Sequence, residues 1–122
     1  MHVRRETVAV TTDASGAATE YTDTVTGRVL GIRYVKGDFA DGVDFTITSE
    51  ATGETVWAES DVNASATRAP RQAIHGTDGA AALYAESGEA VRDFVYLAID
   101  RLKIAVADGG DTKTGTFHVL VG

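Results

Sequence analysis

The sequence predicts an all-β fold, organised as a single antiparallel β-sandwich domain that covers residues 1–122. Short segments of alternating apolar and polar residues recur along the chain, and clusters of Gly, Asp and Ser separate them. The composition points the same way, because 13 glycines, a single proline and many Thr and Val residues are typical of strands joined by turns. The spacing predicts about seven or eight strands, in a jelly-roll or an immunoglobulin-like arrangement.

The first half of the chain contains the strands with the clearest alternation. They are predicted at residues 3–12, 29–35 and 43–49, with a turn at 13–17. In the third strand, Val43, Phe45 and Ile47 share one face and polar residues occupy the other. Such alternation is typical of an antiparallel sheet with one side on the core and one side in solvent.

The second of these strands also alternates, and its apolar residues divide between two faces. Leu30, Ile32 and Tyr34 are predicted on one face and Val29 on the other. The polar segment 19–25 is interpreted as the continuation of a hairpin that begins with the first strand.

The second half alternates less regularly. A short strand at 55–58 precedes a polar stretch at 59–71 and a weakly patterned segment at 72–89 that contains several glycines. Connections of this length are uncommon in compact domains and are often functional. We expect these two segments to act as arms that become ordered when they dock on a partner.

Residues 90–106 are compatible with two interpretations. The spacing of the apolar residues between 90 and 99 matches a helix, but the enrichment in aromatic and β-branched residues favours two strands around a turn at Asp100-Arg101. The glycine-rich segment 108–115 is predicted to be a hairpin loop before a closing strand at 116–121. Its Lys113-Thr114 does not match the order of a phosphate-binding loop, so the hairpin interpretation is preferred.

The charge and the cysteine content exclude several classes of partner and of binding site. The chain has a formal net charge of −7, no cysteine and no apolar run long enough to span a membrane. We therefore expect no nucleic-acid partner, no membrane association, no disulfide and no zinc–thiolate site. No apolar run follows the N-terminal arginines, so a secretory signal is not expected.

Two sets of residues are candidate metal ligands. Asp38, Asp41 and Asp44 offer oxygen ligands for Ca²⁺, but their spacing does not match an EF-hand loop and turn formation is the preferred interpretation. The three histidines are far apart in the sequence: His2, His75 and His118. We expect neither a metal nor a cofactor.

The sequence contains no recognisable catalytic motif, and we expect the protein not to be an enzyme. It has no nucleophile elbow and no Ser/His/Asp set with a known spacing. Carboxylate pairs, for example Asp13/Glu20 and Glu50/Glu54, would suit a glycosidase, but solvated acids are the simpler interpretation in a chain with 18 of them.

The segment Arg68-Ala69-Pro70-Arg71 is a basic patch in an acidic chain. It is either a rigid turn with two solvated arginines or an anchor for an acidic partner surface, since arginine is enriched at interface hot spots. Arg68, Pro70 and Arg71 are therefore the candidate partner interface. The aromatic residues are predicted to lie in the core: Tyr34, Phe45, Trp57, Phe94 and Tyr96.

Several segments resemble small structural proteins of tailed bacteriophages. The resemblance is one of pattern and rests on residues 32–34, 43–50, 52–54, 70–71, 97–104 and 109–121. It implies a virion component without catalytic residues, which decorates the capsid or forms a head spike or the head–tail joint. It also implies self-association into a homo-oligomer and docking on capsid or connector proteins, with assembly in the host cytoplasm.

The sequence alone also leaves open two hypotheses from other functional classes, a sugar-binding module and an enzyme. A carbohydrate-binding β-sandwich module would present an exposed aromatic platform that includes Trp57 or Tyr84. A small hydrolase would hold two carboxylates in a concave pocket, at least one of them with a raised pKa.

Overall fold

The computed structural model describes residues 2–122, which form ten β-strands and no helix. In chain order the strands are β1 (Arg4–Thr11), β2 (Ala18–Tyr21), β3 (Val25–Val35), β4 (Val43–Ser49), β5 (Thr55–Val62), β6 (Ala66–Arg68), β7 (Arg71–Ala73), β8 (Arg92–Asp100), β9 (Leu102–Ala107) and β10 (Thr114–Val121). Residues 2–122 accordingly contain no long apolar helix that could cross a membrane.

The strands form two antiparallel sheets packed face to face, which confirms the predicted all-β sandwich. Sheet I has the strand order β1-β10-β3-β8-β7, and β6 also pairs with β3. Sheet II has the order β2-β9-β4-β5. Ten strands exceed the expected seven or eight chiefly because β6 and β7, of three residues each, lie where the sequence pattern indicated only polar connections.

The segment with two interpretations forms strands β8 and β9, so the strand prediction is confirmed and the helix is wrong. These two strands belong to different sheets, and Asp100-Arg101 is the corner between them. The strand predicted at 55–58 is also longer than expected, because β5 continues to Val62 along its pairing with β4.

The core lies between the sheets and is centred on aromatic rings. The ring centroid of Tyr34 lies 4.9 Å from that of Phe45 and 5.1 Å from that of Phe117, and Trp57 stands edge-on to Phe45 at 4.8 Å. Burying one large apolar side chain contributes roughly 1.5–3 kcal/mol, so these rings tie the two sheets together. Val43, Phe45 and Ile47 are all buried, as the alternation of β4 predicts.

Strand β3 does not alternate as predicted. Val29 and Ile32 are fully buried, whereas Leu30 is only half-buried. Val29 pairs with Val121 and Gly31 with Leu120, so Leu30 is an extra residue opposite no partner in β10. This β-bulge shifts the alternation by one residue, and the prediction that Leu30 shares a face with Ile32 is wrong.

Two connections predicted as hairpins instead cross from one sheet to the other. Residues 12–17 join β1 to β2 and residues 108–113 join β9 to β10, and in each case the two strands lie in different sheets. These crossing loops bind each other: the Thr12 hydroxyl donates to the carbonyl of Gly110 at 2.6 Å and accepts from the amide of Lys113 at 2.9 Å. They therefore close one end of the sandwich together.

Candidate functional site

The predicted interface residues line a groove at the open side of the sandwich. Arg68 ends β6 and Arg71 begins β7, so the chain turns at Pro70 along the edge of sheet I, opposite β5 of sheet II. The groove has a volume of about 480 Å³. Its principal lining residues, which define what we call the arginine groove, are Trp57, Glu59, Arg68, Pro70, Arg71 and Arg92.

Arg68 is fixed in the groove by a bidentate ion pair with Glu59. Its Nε lies 2.9 Å from Glu59 Oε1 and its Nη2 lies 3.2 Å from Oε2. Trp57 Nε1 donates to the same Oε1 at 3.0 Å, and the Arg68 guanidinium lies 5.7 Å from the Trp57 ring centroid. The hydrogen bonds from Arg68 and Trp57 hold the pKa of Glu59 below its ordinary value.

Arg71 is held by stacking and by backbone carbonyls. Its guanidinium lies 4.2 Å from the ring centroid of Phe94, and Arg28 approaches the same ring at 5.0 Å. Arg71 Nη1 also donates to the carbonyl of Pro70 at 2.8 Å. These contacts immobilise the side chain, so an arriving ligand meets a cation that is already oriented.

The charge balance of the groove is positive although the whole chain is acidic. Three arginines line it, and Glu59 neutralises Arg68. Arg92, on the exposed face of β8, completes the set. The sequence pattern missed Arg92 because it lies far along the chain from Arg68 and reaches the groove only through the pairing of β7 with β8.

A second depression of about 230 Å³ continues from the arginine groove along the open side of the sandwich. It lies between β5 and β8, and Val56 and Arg71 line both. Within residues 2–122, β5 pairs only with β4, and β7 pairs with no part of β8 beyond residues 92–94. Two strand edges with free backbone groups therefore border this side of the molecule.

A buried carboxylate shapes the far end of that depression. Asp100 accepts hydrogen bonds from the Ser49 hydroxyl and from the amides of Ala51 and Arg101, the latter two at 3.0 and 2.7 Å. Burial raises the pKa of Asp100, but these hydrogen bonds outweigh burial and hold it below the ordinary value. The adjacent Ile99 is 82% exposed and has a φ of 47°, an unfavourable conformation for a β-branched residue.

Beyond β7 and β8 the chain forms a projection, residues 74–91, that we call the two-finger arm. Backbone hydrogen bonds join Ile74, Ala82 and Val91 at its base, at 2.8–3.0 Å. One finger spans residues 75–81 and the other spans residues 83–90, each closed by a bridge between its ends. None of the arm residues is buried.

The arm exposes large apolar side chains. Tyr84 is 75% exposed, Leu83 is 44% exposed and Ile74 is 39% exposed. The weakly patterned segment predicted at 72–89 is thus held in a defined shape by its own backbone hydrogen bonds, while its side chains point into solvent.

The aromatic residues predicted to be in the core fall into two groups. Tyr34, Phe45 and Trp57 are buried, which confirms the prediction for them. The prediction is wrong for Tyr96, which is 59% exposed, and for Phe94, which is only half-buried beneath two arginines.

The structure gives each of the three candidate calcium ligands a separate partner. Asp38 accepts from the amide of Thr114 at 2.6 Å, Asp41 pairs with Lys36 Nζ at 3.1 Å, and Asp44 accepts from the amide of Asp61 at 2.8 Å. Among residues 2–122, no group of three or more His, Asp or Glu side chains is arranged to hold a metal ion.

One carboxylate of each candidate catalytic pair, Asp13 in one and Glu50 in the other, is engaged in local structure. Asp13 caps its turn by accepting from the amide and hydroxyl of Ser15 at 2.9 and 2.7 Å, and these bonds lower its pKa. Glu50 forms an ion pair with Arg101, which lowers the pKa of Glu50. A third carboxylate behaves differently, since a hydrogen bond with Asp44 raises the pKa of Asp108.

The comparisons with known proteins add no relative. The chain matches no family model, no curated protein and no solved structure.

Proposed function

We propose that the protein is a non-enzymatic structural component of a tailed phage or a phage-like particle. In this proposal it forms homo-oligomers and docks on capsid or connector proteins, as a capsid decoration, a spike or a part of the head–tail joint. It needs no cofactor, binds neither nucleic acid nor membrane, and reaches the virion by assembly in the host cytoplasm. The pattern resemblance supports the phage context, and the geometry supports the docking role.

The two-finger arm is the observation that carries the docking role. Its 18 residues, 74–91, contribute nothing to the core, yet backbone hydrogen bonds hold them in a defined shape. Tyr84 and Leu83 are both exposed, and covering large apolar side chains contributes up to roughly 1.5–3 kcal/mol each. A partner that covers the arm therefore gains binding energy without first having to order it.

A carbohydrate-binding module is the second candidate, and the exposed rings of Tyr84 and Tyr96 favour it. Trp57 does not contribute, because it is 7% exposed and its indole N–H is bonded to Glu59. Titration calorimetry of the full chain against soluble glycans separates the two candidates. Heat of binding that disappears in Tyr84→Ala would favour the sugar-binding role.

The virion role is tested by following the protein through particle purification. Particles from a culture that carries the gene are banded on a density gradient, and each fraction is probed with antibody raised against the purified chain. We expect the protein to band with the particles and to remain with them after a second gradient. Its recovery only in the fractions free of particles would contradict the proposal.

A further inference from the structure

We infer that the arginine groove receives the two-finger arm of a second copy of this chain, in a head-to-tail contact. The inference rests on the self-association included in the proposed function and names the two surfaces that form it. Because the two surfaces differ, each copy offers one arm and one groove, and such contacts generate a ring or a filament.

Charge complementarity identifies the arm as the occupant. The arm contains Asp78, Glu86 and Glu89 and not a single lysine or arginine. The groove carries three arginines against Glu59. The chain as a whole has a net charge of −7, so a groove with an excess of arginines attracts an acidic arm more strongly than the average surface of the chain does.

The apolar parts of the two surfaces also match. The wall of the groove combines the edge of Trp57 with Pro70 and Val56, between guanidinium groups that are already oriented. Tyr84 lies near the base of the finger that spans residues 83–90 and is 75% exposed. Its flat ring suits a site of this kind, because guanidinium groups stack on aromatic faces and Tyr and Arg dominate interface hot spots.

The arm of the same chain does not fill the groove. Among the described residues, none from 74–91 lines it. The hydrogen bonds that join Ile74, Ala82 and Val91 fix the direction in which the arm leaves β7 and β8. A free groove and a free arm on every copy are what a repeating assembly requires.

The test uses two full-length variants, each of which removes one of the surfaces. Arg92→Glu reverses a charge in the groove without breaking the Arg68–Glu59 pair, and Tyr84→Ala with Glu86→Lys alters the arm outside the core. Sedimentation velocity over a concentration series, at low and high salt, measures association. Circular dichroism and thermal melting establish that each variant is folded.

We expect the wild-type chain to associate with increasing concentration, and less so at high salt. The association constant of each variant alone is expected to be at least about tenfold lower than that of the wild type. An equimolar mixture of the two variants is expected to form dimers that do not grow further, because only one intact arm and one intact groove meet. Lys113→Glu and Glu20→Lys reverse exposed charges outside both surfaces and are expected to associate like the wild type.

Three results would overturn the inference: a wild-type chain that stays monomeric at every concentration, folded variants that associate as the wild type does, or a mixture that forms no dimer. The last two would mean that any self-association uses other surfaces. Presence of the protein in purified particles is measured separately, so the virion role can stand when this contact fails.

Discussion

Replacing Tyr34 by Phe removes one oxygen atom from the centre of the core and leaves the ring in its packed position. The hydroxyl is buried, and it finds no hydrogen-bond partner among residues 2–122. A buried polar group without a partner costs roughly 1–3 kcal/mol, which exceeds the few tenths of a kcal/mol of dispersion that one atom provides. Tyr34→Phe is therefore expected to raise the free energy of unfolding by about 1–2 kcal/mol and the Tm by several degrees.

Urea denaturation followed by the fluorescence of Trp57 measures this change, since Trp57 packs in the same aromatic group. Tyr96→Phe is the matched control: that side chain is 59% exposed, so losing its hydroxyl should change stability little. A Tyr34→Phe variant that is less stable than Tyr96→Phe would refute the reasoning, because it would mean that the buried hydroxyl contributes to stability.

The same substitution has a consequence at alkaline pH. Burial raises the pKa of Tyr34 to about 12 in the folded protein, whereas a tyrosine in an unfolded chain titrates near 10. Between these values the unfolded chain releases the proton first, so the stability of the wild type falls as pH rises above about 10. Tyr34→Phe should lack that part of the loss, and identical pH profiles for the two proteins would contradict the assignment.

Three further substitutions test other parts of the fold. Gly115→Ala would drive a Cβ into the ring of Phe39, and overpacking of this kind is expected to cost about 1–3 kcal/mol in urea denaturation. Asp100→Asn would put an NH2 donor where the Ser49 hydroxyl now donates, and would remove the negative charge that the amides of Ala51 and Arg101 bond, so it is expected to cost about 1–3 kcal/mol. The variant should also lack part of the decline in stability that the wild type shows as pH falls through the lowered pKa of Asp100. Asp108→Asn should raise the Tm at neutral pH, because Asp44 raises the pKa of Asp108 and stability is lost as pH rises through that pKa.

Each of these predictions has an internal check. Gly31→Ala is the control for Gly115→Ala. A Cβ on Gly31 would meet nothing closer than 3.5 Å, so this substitution should not cause overpacking. Asp93→Asn is the control for the substitution at Asp100, because within residues 2–122 the Asp93 carboxylate bonds only the amide of Phe94. The gain from Asp108→Asn should vanish in acid, where Asp108 is protonated; a gain independent of pH would point to the positive φ of this residue instead.

The alternation of polar and apolar residues predicted those strands whose geometry is regular. Strand β4 follows the pattern throughout, because its pairing with β9 runs from Asp44 to Ser49 without a register shift and one of its faces lies on the core. Strand β3 departs from it at Leu30, since a bulge depends on the register with β10 and leaves no trace in the local sequence. The sequence predicts hairpins at the crossing loops for a similar reason: glycines indicate a turn but not the sheet to which the next strand belongs.

The candidate site was predictable in part. The local run Arg68-Ala69-Pro70-Arg71 indicated a basic turn, and the structure places it on a groove. Arg92 and Trp57 reach that groove through strand pairing and sheet packing, which local sequence does not encode. The shape of the arm could not be predicted from the sequence either. Three backbone hydrogen bonds at its base define that shape, and every residue type except proline can form backbone hydrogen bonds of this kind.

The position of β10 in sheet I has a consequence for how the protein folds. β10 lies between β1 and β3, and it pairs with β1 residues about a hundred positions earlier in the chain, for example Thr7 with His118, 111 positions apart. Within residues 2–122, β1 has no other strand neighbour in its sheet. Sheet I therefore closes only after a very large loop has formed, and we expect folding on the millisecond-to-second scale typical of proteins rich in long-range contacts. Until that moment the apolar face of β1 is uncovered, so the unfinished chain is the form most exposed to aggregation.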